Sequence, residues 1–206
     1  MCIRDRLMFL GMFGSIFLIS QYLQGVLHAT PTEAGVRMLP WTAMPLIVAP
    51  IAGILSDRIG GRGIVVTGLG LQALGLAMFG VIAHHTTSYT AQLPTLVICG
   101  VGMALYFAPT ASLVMASVGP DEQGIASGAN NAMREVGGAL GVAVLSTVFS
   151  AQGGYGSARS FTDGLVPALY VGAAAVAVGA VCALTIPRRR PVAASVEEVK
   201  VLEPVG

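Results

Sequence analysis

Stretches of about twenty apolar residues alternate with short polar breaks along this chain of 206 residues. Six apolar runs stand out, at about 7–27, 33–55, 63–83, 93–116, 125–149 and 164–186. As a helix, each is long enough to cross ~30 Å of hydrocarbon. The runs are continuous and uniformly apolar, without the ten-residue alternation that a membrane-spanning strand shows. The pattern therefore predicts an all-α membrane protein with six transmembrane helices.

Composition agrees with the pattern. Hydrophobic residues make up 54% of the chain and charged ones only 10%, and the 27 glycines are spread through the apolar runs instead of gathering in linkers. A soluble domain of this length needs more charged surface. A secretory leader would have a shorter apolar core and then a soluble domain, whereas here five more runs follow the first. Cys99 and Cys182 lie inside apolar runs and Cys2 in the opening hexapeptide, so no disulfide frame or metal-ligand spacing exists. His28, His84 and His85 fall at helix ends and read as solvated, and no metal site is expected.

Six crossings bring both ends to one side. Apart from the first six residues, that side carries Arg58, Arg62, Arg188, Arg189, Arg190 and Lys200, against Arg37 and Arg159 opposite. The positive-inside rule then expects both termini in the cytoplasm. Thr30-Pro31-Thr32-Glu33 reads as a capping box that starts the second helix. Residues 187–206 open with an arginine trio and continue as a mixed-charge, Pro-bounded segment, expected to be a disordered cytoplasmic tail.

The runs differ in polarity. The third and sixth are the blandest and read as lipid-facing. The first, second, fourth and fifth carry the groups that are costly in lipid: Gln21, Tyr22 and Gln24; Trp41; Tyr106; Asn130, Asn131, Arg134 and Glu135. Each half of the chain ends on its blandest run, which suggests two three-helix units in a 3+3 inverted repeat, a transporter device.

Three stretches carry candidate mechanism. The first is the turn "GILSDRIGGRG", Gly53 to Gly63, whose glycines allow a tight reversal and whose Asp57 lies near the positive end of the third helix, beside Arg58 and Arg62. Any short cytoplasmic turn tends to be glycine-rich and basic, so that plain reading stays open. The second, Pro120 to Phe149, sets Asn130, Asn131, Arg134, Gly137, Gly138 and Gly141 at spacings that form one helical stripe. The polar part reads as cavity-lining and the glycines as helix packing. Glu135 points about 100° away from Arg134 and is not its main partner by geometry. The third, Phe17 to Pro40, offers Gln21, Tyr22 and Gln24 for a substrate path, with an interfacial belt as the equal alternative for Tyr22. Trp41 and Tyr106 read as aromatic contacts for a greasy compound or as packing.

These residues carry a resemblance. Gly53-x-Leu55-x-Asp57-Arg58-x-Gly60-x-Arg62 resembles the cytoplasmic signature loop of the major facilitator superfamily, with Gly61 where that family usually has a basic residue. Pro120, Gly124, Asn131, Arg134 and Gly137 to Gly141 resemble the penultimate helix of its fourteen-helix drug:proton antiporters, with Glu135 in place of an uncharged amide. The resemblance covers Leu7 to Ile186 and begins at the ninth of fourteen helices. It implies a gating role for the loop around Asp57. It also implies that the chain is the C-terminal half of a major facilitator fold, working as a proton-coupled efflux transporter of amphipathic drugs. The implied partners are membrane lipid, a missing N-terminal helix bundle and a small amphipathic organic substrate. No nucleic acid, no cofactor beyond the coupling proton and no catalytic residue is implied, and the location is the bacterial inner membrane.

Two other functions bear on the same six spans. A complete six-helix scaffold or dimeric half-transporter fits the same spans. An intramembrane serine protease does not, because Ile125-Ala126-Ser127-Gly128 lacks the first glycine of a nucleophile turn and no helix core supplies a histidine. The opening "MCIRDR" can be back-translated as ATG TGT ATA AGA GAC AGN, which resembles a transposase end sequence used in sequencing-library preparation. Residues 1–6 are therefore expected to be a non-native artefact, with the six-helix bundle at 7–186.

Overall fold

The computed structural model describes residues 2–115, 119 and 122–184. Among them every regular element is a helix: α1 Cys2–Gly25, α2 Pro31–Thr42, α3 Met44–Ile59, α4 Gly61–Ile82, α5 Tyr89–Met115, α6 Gln123–Gln152 and α7 Ala158–Ala183. They make six candidate spans, because α2 and α3 together form one crossing, Pro31–Ser56. The expected tail at 187–206 and the Pro120 entrance to α6 lie outside the described residues.

Local chemistry explains where these helices start and stop. At α2, the Thr30 hydroxyl accepts from the Glu33 N–H at 3.3 Å and the Glu33 carboxylate accepts from the Thr30 N–H at 3.2 Å, the capping box read from the sequence. The break at Ala43 follows from Pro45, which has no N–H to give the carbonyl of Trp41 four residues back. Gly100 of α5 lies against this break. A Cβ there would come 2.7 Å from the Pro40 oxygen and 2.8 Å from the Trp41 oxygen. The turn expected over Gly53 to Gly63 is much shorter. Only Gly60, at φ 88°, stands between α3 and α4, because the flanking residues complete the helices themselves.

The helices exchange partners between the halves. In the first half α1 packs on α6 and α7, while α5, which opens the second, packs on α2, α3 and α4. The third helices of the two halves, α4 and α7, pack on each other. This is the pattern of two three-helix units related by a pseudo-two-fold axis. An odd number of crossings per unit makes the repeat inverted. Small residues bring the backbones together. A Cβ on Gly102 of α5 would lie 2.6 Å from the backbone nitrogen of Gln72 of α4.

The core runs from Met8, Phe9 and Met12 through Leu18, Leu69, Leu76 and Phe79 to Leu145, Leu165 and Leu169. The bland helices α4 and α7 each bury one face in it and show Leu74, Met78 and Val81, or Val171, Val178 and Val181, on the other. The helices carrying costly groups divide in two. The most apolar windows of α1 and α5 are 56% and 44% buried, whereas those of α2–α3 and α6 are only 17% and 28% buried.

Residues 2–6 continue α1 toward its N-terminus. Arg4 donates to the Asp5 carboxylate at 2.7 Å, and both side chains are buried. Asp5 also accepts from the Tyr106 hydroxyl.

Candidate functional site

Arg134 is the costliest group placed within a span. It lies about 16 Å along α6 at 1.5 Å per residue, deep enough that a lipid-facing arginine would cost ~2.5–3.5 kcal/mol on insertion scales. The fold sets aromatic rings against it. Its guanidinium carbon is 5.3 Å from the Phe9 ring centroid on α1 and 4.9 Å from that of Phe107 on α5. Two such contacts return about 0.5–2 kcal/mol each. The rings steady each other: Phe9 and Phe107 meet edge to face at 5.6 Å, and Tyr106 meets them at 6.3 and 5.8 Å.

Glycines make the site possible. Gly137, Gly138 and Gly141, three, four and seven residues after Arg134, are buried under α1. A Cβ on Gly137 would lie 3.0 Å from the Arg6 oxygen and the Phe9 Cβ, and one on Gly138 would lie 3.2 Å from the Phe13 ring. Gly141 sits on the backbone of Leu10. With no side chains in the way α1 comes close enough for Phe9 to reach Arg134 one turn earlier on the helix.

The donors of Arg134 are left over. Its Nε is shut away from solvent without a hydrogen-bond partner. The ion pairs among the described residues are Arg4 with Asp5 and Arg37 with Glu33, and neither involves Arg134. Asn130 is half-buried beside it, whereas Asn131 and Glu135 are exposed. The stripe is therefore narrower than the sequence spacing implied, with Asn131 on the open flank.

The remaining candidates gather elsewhere. Tyr22 lies about 20 Å from Phe9 along α1. It is fully buried, with its hydroxyl donating to the His84 carbonyl and its ring 6.2 Å from Phe79 and 6.5 Å from Phe161. Trp41 and Tyr106 are likewise without exposed surface. In this structure the three aromatics sit as packing residues and do not line an open path, because each fills a gap between helices of the bundle. Gln21 is half-buried, and Gln24 is exposed with its amide donating to Ser20.

At the α3–α4 end, Arg58 is exposed, Arg62 is half-buried and Gly60 makes the turn. The side chain of Asp57 lies outside the described set. Gly53 is not part of the turn. It is inside α3, and a Cβ there would meet nothing within 4 Å. Among the described residues no group of three metal-ligating side chains forms.

Phe9 and Phe107 are the site residues that the sequence reading missed. A signal existed: an intramembrane arginine without a carboxylate at helical spacing needs another source of negative potential, and aromatic faces are what remains.

The fold thus defines a multi-pass helical membrane protein built from two inverted three-helix units around a cation held by aromatic rings. Residues 7–203 match the Major Facilitator Superfamily, and the chain belongs to that family, whose transporters are generally not enzymes. It is 37% identical over 143 residues to the multidrug resistance protein Stp of Mycobacterium tuberculosis, covering 69% of this chain and 26% of that protein. It is 31% identical over 148 residues to the tetracenomycin C resistance and export protein of Streptomyces glaucescens, covering 72% of this chain and 27% of that one. The multidrug efflux pump LfrA of Mycolicibacterium smegmatis is 32% identical over 175 residues, covering 85% of this chain and 34% of the pump. The chain spans about a quarter to a third of the length of these relatives.

Proposed function

We propose that this chain is the C-terminal six-helix part of a proton-coupled efflux transporter that exports amphipathic drugs or other small organic compounds by alternating access. The observation that carries the reading is the placement of the polar stripe of α6. A charged residue is kept inside the membrane on one of the two spans that this bundle covers least. Such a face suits a cavity shared with a second bundle. The names of the relatives, which include resistance, efflux and export proteins, support the same reading.

On this reading the protein is not an enzyme and has no cofactor beyond the coupling proton. Its partners are lipid, an N-terminal helix bundle of the same transporter and the substrate, with no nucleic acid. It sits in the bacterial inner membrane with both termini cytoplasmic, and residues 1–6 are not native.

The α3–α4 turn acts in gating through Asp57, Arg58, Gly60 and Arg62, on the strength of the signature-loop resemblance. The test is export of ethidium from cells carrying the complete gene product. Asp57→Asn should reduce export severalfold while leaving membrane insertion intact, and unchanged export would overturn the gating role. The 206-residue chain alone should not transport, so proton-driven uptake into inverted vesicles holding only this polypeptide would overturn the two-bundle reading.

A further inference from the structure

Arg134 is the side chain whose surroundings the packing leaves unfinished. Phe9 of α1 and Phe107 of α5 answer its charge, but neither ring offers a lone pair to its donors. A guanidinium carries five N–H donors in one plane and accepts no hydrogen bond. Here Nε is shut from solvent with no partner, and no carboxylate of the described residues pairs with the group. Glu135, adjacent on the helix, projects to the exposed side.

The group that fits these unspent donors is a carboxylate. Its two oxygens take two N–H bonds of the fork side by side, which an ester or an amide carbonyl cannot do. The access is also right. Arg134 is half-buried on a span whose flank carries exposed Asn131 and Glu135, so part of the fork is open to an incoming group. The rings fix the guanidinium in advance, which spares a ligand the cost of ordering a long side chain.

We propose that Arg134, clamped between Phe9 and Phe107, is a carboxylate-recognition site. Through it, amphipathic acids and zwitterions are preferred over their esters. As a statement about substrates this rests on the efflux reading above. As a statement about binding it stands alone. The same carboxylate chemistry has a second source, an acidic side chain in the part of the transporter outside this chain.

The probe pair is rhodamine 19 and its ethyl ester rhodamine 6G, which share one cationic ring system and differ at the carboxylate. Their binding to the purified complete gene product is read by fluorescence anisotropy, with thermal stability recorded alongside. The wild type should bind the acid at least tenfold tighter than the ester. Arg134→Gln should remove that preference, with Arg134→Lys keeping part of it. If the carboxylate belongs to the protein, the wild type shows no preference and Arg134→Gln lowers the melting temperature. An acid-to-amide change in the other bundle then restores it. Three results overturn the proposal: a preference that survives Arg134→Gln, no effect of the substitution on either dye or on stability, or a stability loss that no such change rescues. Export of both dyes from cells separates the two readings. If the binding preference stands while neither dye is exported, the efflux reading fails and the site remains.

Discussion

The α1–α6 seam and the α2–α3 crossing are both rich in small and kinking residues, yet they end in opposite states. At the seam, Gly137, Gly138 and Gly141 meet the backbone or ring of the neighbouring helix. On α3, Gly53 meets nothing, and Leu46, Ile47, Ile51 and Ile54 are each more than 60% exposed. The same residue types therefore record a closed contact in one place and an unfilled one in the other. What separates them is whether a partner helix lies within this chain.

The comparison can be broken by paired substitutions read as unfolding in detergent. The largest effect is expected at Trp41, the bulkiest of the side chains that pin α2 to the core, ahead of Met38. Trp41→Ala should cost about 3–5 kcal/mol, while Leu46→Ala, a few residues on, should change stability by less than about 0.5 kcal/mol. Equal losses would show that the α3 face is already packed. Next comes Gly141→Leu, which drives a side chain into the backbone of Leu10 and should cost about 1–3 kcal/mol. Gly53→Leu should leave the melting temperature of the isolated bundle in place, and a matching drop would abolish the contrast. Thr30→Ala removes one arm of the capping box and should cost about 1 kcal/mol, visible as faster amide exchange at the start of α2. The smallest effect is expected at His28, which holds φ 52° where α1 ends. His28→Gly should shift stability by no more than about 0.5 kcal/mol, since relief of the left-handed backbone and added chain entropy oppose each other.

The six spans and the cap of α2 were readable because each depends on residues near one another in the chain. Apolar length fixes a crossing, and Thr30, Pro31 and Glu33 suffice for a helix start. Signals that depend on distance between helices were not readable. Pro40, Pro45 and Pro50 announce a disturbed helix, but not which of them breaks it, and the structure puts the break at Ala43, before Pro45. Tyr22 and Trp41 carry polar groups and so resemble cavity residues in one dimension. In three, their rings fill gaps between helices. The stripe on α6 was visible as a period, but Phe9 and Phe107 belong to it only through the approach of α1 and α5. Polarity alone also did not show that α4 and α7, read as lipid-facing, each bury a full face as well.

The break at Ala43 has a mechanical consequence. A proline joint in an isolated helix would swing freely, with its freed carbonyls turning to whatever donor they meet. Here the Pro40 and Trp41 oxygens rest against Gly100 of α5, where a Cβ would come within 2.8 Å of both. α5 is also the helix that carries Phe107 to Arg134. The seat of the break and one wall of the arginine clamp therefore belong to a single helix.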